Sequence, residues 1–239
     1  MSGRRTLVPV LLAGCLVALL GACAGEVARS DLPISDDFSG DCHGWSEDND
    51  KHIALGCEDG AYKAVFKRAD ERPHHMIPRR TEEPASSVSV EADATLQAFT
   101  GDTDESFEGH GVGCWSSPAD EPAQGYLFLV SPSAQAFAIV RHDETDERLR
   151  NQFYFRALID EESEAVAAIG ETNRLRGECR ETDDGVELTM YLDGEQVGTA
   201  TDPDGFRDFG AFGFVVISTR VGTDIRFDNF EADELVESG

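Results

Sequence analysis

The sequence predicts an all-β chain, an antiparallel sandwich or barrel of two packed sheets. Three observations carry this. In "VSVEADATLQA" (88–98), Val88, Val90, Ala92, Ala94, Leu96 and Ala98 fall on one face, while Glu91, Asp93, Thr95 and Gln97 fall on the other. A period of two marks a half-buried strand. Asp193-Gly194 joins "GVELTMYLD" to "EQVGTAT". Asp-Gly suits a tight hairpin, whose two central residues need positive φ. Finally, short strand-like runs follow one another closely, with no internal repeat and no low-complexity linker between them; that rhythm belongs to β-sandwiches and barrels.

The elements can be taken in order. Residues 1–22 open with Arg4 and Arg5, continue with an apolar run from Leu7 to Leu20, and end in small residues before Cys23. The run is shorter than the ~20 apolar residues of a comfortable transmembrane helix. It has the basic front and apolar middle of a secretion signal. Residues 23–35 form a short tether, and residues 36–235 the domain. Within the domain, strands are expected at 61–67 (after an Asp59-Gly60 turn), 88–98, 109–116, 125–131, 134–141, 151–158, 173–181, 185–193, 195–201, 210–218 and 223–232. The stretch 160–170, "DEESEAVAAIG", is acidic in front and ends in glycine. It is expected to form a short helix or a loop.

The formal charge of −27 excludes nucleic acid and anionic headgroups as partners, because both require positive charge. Four cysteines remain beyond Cys15 and Cys23: Cys42, Cys57, Cys114 and Cys179. An even number in an exported chain indicates two disulfides. Three pairings exist; Cys42–Cys57, the nearest neighbours, and Cys114–Cys179, between two strands, are favoured. The chain-entropy model assigns roughly 3 kcal/mol to the short loop and about 4 kcal/mol to the long one. Neither a C-x-x-C pair nor a metal-like histidine spacing supports a zinc site instead.

Two resemblances extend this reading. "LLGAC" (19–23) resembles the bacterial lipobox, which implies cleavage before Cys23 and lipid on its thiol. A diacylated cysteine would supply two-chain anchoring to a bilayer on the extracytoplasmic face. Within the domain, "DDFSGDCHGW", "GVGCW", "GYLFLV", "AFAIVR", "NRLRGECRETDDGVELTMYLDGEQV" and "DIRFDNFEADE" resemble the concanavalin A-like (laminin-G and glucanase-like) jelly rolls. The resemblance implies a jelly-roll domain whose first and last strands pair, bringing Phe38, Phe227 and Phe230 into one core. Burial of each such ring is worth roughly 1.5–3 kcal/mol.

Related glucanases carry Glu-x-Asp-x-x-Glu on one strand, and Glu91 and Asp93 match its first two carboxylates. The last position is Leu96, which cannot donate a proton, so the motif lacks its general acid. Retaining chemistry needs two carboxyl groups about 5–5.5 Å apart. Glu91 and Asp93 are therefore read as the polar side of an amphipathic strand, with no catalytic residue assigned. Asp36, Asp37 and Asp228, near the paired ends, are the candidate ligands of a structural calcium, against the alternative that they cap turns. "DTDES" (102–106) and "DPDG" (202–205) are acidic turns open to the same two readings. The six histidines are expected to be scattered on the surface. Trp115, which should alternate away from Cys114, together with Tyr126, Arg141, Tyr154 and Arg156, is the candidate patch for stacking and hydrogen-bonding a glycan on the concave sheet, against the alternative that its rings pack in the core. The expected role is non-catalytic binding of a glycan or another envelope component. A glycoside-active enzyme, similar to the 3-keto-disaccharide hydrolases, and a structural envelope protein are the alternatives.

Overall fold

A computed structural model describes residues 32–42, 44–68, 74–98, 108–116 and 123–235. Cys23, His43 and residues 102–106 lie outside them. The strands are β1 (Ile34–Asp36), β2 (Asp48–Asn49), β3 (Ile53–Glu58), β4 (Ala61–Phe66), β5 (His74–Ala85), β6 (Ser87–Ala98), β7 (Glu108–Trp115), β8 (Gln124–Ser131), β9 (Ala136–Asp143), β10 (Phe155–Glu162), β11 (Thr172–Thr182), β12 (Gly185–Leu192), β13 (Glu195–Asp202), β14 (Phe209–Ser218) and β15 (Asp224–Glu234). Among the described residues they form a nine-stranded sheet, ordered β13-β12-β11-β6-β15-β4-β3-β2 with β1 added beside β15, and a six-stranded sheet, ordered β10-β9-β8-β7-β14-β5. Together they form a jelly-roll sandwich of two antiparallel sheets.

Local chemistry explains the turns. Asp59 and Gly60 (φ 56° and 77°) close β3 onto β4, and Asp193 and Gly194 (φ 51° and 85°) close β12 onto β13. Both dipeptides hold the left-handed conformation that a two-residue hairpin demands. β5 carries Pro78 and Pro84 and was not foreseen as a strand. It lies at the edge of its sheet, where proline is tolerated.

The first and last strands pair side by side, with Ile34 opposite Ala232 and Asp36 opposite Phe230. Phe38, Phe227 and Phe230 do enter one core, and Trp45 joins them. Phe214 is stacked between two rings, Trp45 at 4.6 Å and Phe227 at 4.1 Å between centroids. The Trp45 indole donates to Asp36 Oδ2 at 2.9 Å, which satisfies its polar end inside the apolar layer. Cys42–Cys57 closes the loop that carries Trp45. Cys114–Cys179 ties β7 to β11 and so bridges the two sheets.

Of the two readings of residues 160–170 the loop holds, not the helix: β10 runs to Glu162, and turns follow. The Asn173 side chain accepts from Ala167 N (2.7 Å) and donates to Ala165 O (3.0 Å), which satisfies backbone groups that a helix would have paired internally. Two local expectations are corrected. Residues 151–158 are not one strand, because Glu147–Gln152 is a 3₁₀ helix capped by Asp146. The histidines are not all on the surface: His110 and His142 are buried. Burial pushes the His110 imidazole down to about 4 and keeps it neutral against Phe227.

Candidate functional site

The expected aromatic patch is divided by the pleat. Cys114, Tyr126, Arg141 and Arg156 are register partners across β7, β8, β9 and β10, so they share one side of the six-stranded sheet. That side faces the other sheet. Trp115 points the opposite way, as expected from its alternation with Cys114. It is only 3% exposed, and Tyr126 is fully buried. Neither ring is presented for stacking on a sugar.

Tyr126, Arg141 and Arg156 meet instead on Asp202, the last residue of β13. Its carboxylate accepts from Tyr126 Oη (3.0 Å), Arg141 Nη1 (2.7 Å) and Arg156 Nη2 (3.3 Å). Arg141 also lies 4.0 Å over the Phe206 ring and donates to the Asp204 carbonyl. Burial opposes the charge of Arg141, but Asp202 and Asp143 outweigh it and hold the guanidinium above its usual range. Burial, then the Asp202 charge, pushes the Tyr126 phenol upward. Every strong group here is satisfied, so the arrangement acts as a latch between β13 and the six-stranded sheet. Tyr154 stands at the end of the 3₁₀ helix with φ 64°, half-buried.

The outer face of the nine-stranded sheet is different. Glu91 and Asp93 face Arg176 and Arg174 across the β6–β11 ladder. Arg174 pairs with Glu91 through a short hydrogen bond, and with Asp93 (3.4 Å) and Glu231 (3.6 Å). Arg176 pairs with Glu178 (3.1 Å) and covers the Tyr191 ring at 3.9 Å. Leu96 is in the core, and Thr95, next on the polar side, binds the Thr172 hydroxyl. The two carboxylates therefore serve an ion-paired array, and the row supplies no third one.

Beside this array β15 bulges. Its register with β6 shifts between Asp228 and Glu231, and Asn229 takes φ 48°. A bulge re-aims side chains and often borders functional sites. The Asn229 side-chain amide donates to Asp93 Oδ2 (2.7 Å), and the main-chain carbonyl of Asn229 accepts from Arg174 Nη1 (2.6 Å). The same residue lines a polar cleft of about 620 Å³ with Asp36, Asp37, Ser39, Arg79 and Glu231. Arg79 touches Asp36 at 3.4 Å and lies over Trp45, and burial holds its guanidinium below the usual arginine range while Asp36 opposes the shift. The cleft and the array thus join through Asn229 into one hydrogen-bonding surface. Sequence reasoning missed Arg79, Asn229 and Glu231, because neither a bulge nor an edge strand with two prolines has a period.

The calcium candidates do not form a ligand set. Asp36 accepts from Phe38 N, Trp45 Nε1 and Arg79; Asp37 accepts from Ser39; and Asp228 accepts from Asn229 N. Both Asp36 oxygens, and Oδ1 of Asp37 and of Asp228, accept from N–H or O–H donors, as the side chains of turn caps do. Among the described residues no group of three or more His, Cys, Asp or Glu side chains is placed to hold a metal ion.

No protein-family model matches the sequence, and no curated protein matches it. Solved structures do match. The Emp46p carbohydrate recognition domain in its potassium-bound form aligns with TM-score 0.56 at 10% identity, over 78% of this chain and 88% of that one. A glycoside hydrolase family 16 endo-glucanase from Bacteroides ovatus aligns at 0.53 and 10% identity, over 83% of this chain and 99% of that one. An endo-1,3-beta-glucanase from Streptomyces sioyaensis aligns at 0.51 and 11% identity, over 84% and 87%. At such identities the likeness establishes the concanavalin A-like jelly-roll fold alone.

Proposed function

We propose that this is an exported protein, anchored through lipid on Cys23, that binds a glycan or another cell-envelope component without catalysis. The observation that carries the binding reading is Asn229, which joins the cleft beside β1 to the Glu91–Asp93–Arg174 array. Hydroxyls, carboxylates, an amide and guanidinium groups alternate on that surface. Such groups read the hydroxyls of a sugar by hydrogen bonding. Similar sandwiches that recognise or cleave carbohydrate support the same reading. Two disulfides support export. The absence of catalysis is supported by the ion pairing of Glu91 and Asp93 and by the core position of Leu96.

The test is a glycan array probed with the purified protein and with Asn229→Gly. Glycine keeps the left-handed backbone and removes only the amide. The expected result is binding that falls by about tenfold or more in the variant, with an unchanged unfolding midpoint. Equal binding by both proteins, or release of reducing sugar by either, overturns the reading. Mass spectrometry of the membrane-derived protein checks the anchor; a chain that retains residues 1–22 or lacks lipid on Cys23 removes it.

A further inference from the structure

A second cavity lies on the outer side of the six-stranded sheet, away from the polar cleft. It has about 460 Å³, and Leu129, Val140, Phe155 and Ile217 wall it. Small residues at its lining, Gly109, Ala136, Ala138 and Ala157 among them, leave the space open. Concave, mostly apolar cavities of 300–1,000 Å³ with a few polar groups are where small molecules bind.

Among the described residues the only charged side chain on the lining is Asp160, and a defect in β10 puts it there. Ala157 opposes Val140, then the register shifts, and Ile159 opposes Ile139 while Asp160 opposes Ala138. Simple alternation from Ala157 would turn Ile159 toward the cavity. The bulge turns Ile159 inward, where it lies beside Gly198 and packs on the core. It presents Asp160 to the cavity instead. The mouth is also strained. Phe153 and Tyr154, between the lining residues Gln152 and Phe155, take consecutive left-handed conformations (φ 55° and 64°), and Phe153 is 43% exposed. Such non-glycine conformations are costly and gather at ligand clamps.

We propose that this cavity binds a small amphiphile, an alkyl or aryl group carrying a cationic head that meets Asp160. The apolar wall takes the tail. The carboxylate and the −27 charge of the chain select a positive head over a negative one.

Calorimetric titration with decylammonium, decanoate and decanol tests this. Saturable binding of decylammonium is expected, about tenfold or more tighter than decanoate. Ala157→Leu, at an exposed rim position, fills the cavity and should weaken decylammonium by about tenfold or more. Asp160→Asn should bring decylammonium and decanol to parity. The proposal is overturned if decylammonium does not saturate, if decanoate binds as well, or if Ala157→Leu, with its unfolding midpoint intact, binds like the parent.

Discussion

The two outer faces of the sandwich are built in opposite ways. On the nine-stranded sheet the strands alternate, and the outward side carries Glu91, Asp93, Arg174, Arg176 and Tyr191 in a half-buried ionic layer. On the six-stranded sheet the outward side carries Trp115, Leu127, Leu129, Val140, Val215 and Ile217, all buried, with Met76, Ala123 and Phe155 packed against them. All eight residues of β7 are buried. The contrast teaches that one sheet has a single dry side and the other has two. Strands with two dry sides read as continuous apolar runs, as "GYLFLV" and "FGFVVI" do here.

The contrast can be broken most severely by Leu127→Asp. A charge with no partner would enter a fully buried apolar layer. The expected loss is more than about 4 kcal/mol, read from the urea midpoint. A mild effect would mean that this face is wet. Next comes removal of the Cys114–Cys179 tie between the sheets by a double change to serine. About 4 kcal/mol should go, from a loop of 65 residues. Reduction of the parent should cost more, because it also opens Cys42–Cys57.

The layer between the faces has its own signature in acid. The His110 ring is held down to about 4 from the ordinary 6.5, so between these values the unfolded chain binds the proton and the folded one does not. Stability is complete above 6.5 and falls as the pH drops toward 4, by about 3 kcal/mol. Urea midpoints across that window should fall in the parent and stay flatter in His110→Leu. A parent curve flat to pH 4 would place the ring in water. The smallest effect belongs to the charged face. Arg176→Ala removes a half-buried ion pair and a ring contact at the surface, and should cost no more than about 1 kcal/mol. A loss near that of Leu127→Asp would erase the distinction between the faces.

Much of the frame was legible because it rests on local rules. The alternation of β6, the two Asp-Gly hairpins, the pairing of the terminal strands and the two cysteine partners all follow from short-range pattern or from resemblance. The candidate surfaces were not legible, for identifiable reasons. Asp202 looked like any acidic turn residue, yet three strands send side chains to it. Asn229 and Asp160 owe their directions to bulges, and a bulge breaks the periodicity on which sequence reading depends. Residues 160–170 imitate helix ends, but only Val166 among them is buried, too little to hold a helix against the sandwich.

The β1–β15 ladder has a mechanical meaning. Because the two strands run antiparallel, with Ile34 beside Ala232, the chain enters and leaves the domain at the same corner. Tension applied through both ends would peel that ladder one pair at a time, beginning at Ile34 and Ala232, rather than shear all its bonds together. That shared corner is therefore where the domain yields first under load, and the Cys42–Cys57 bridge lies just behind it.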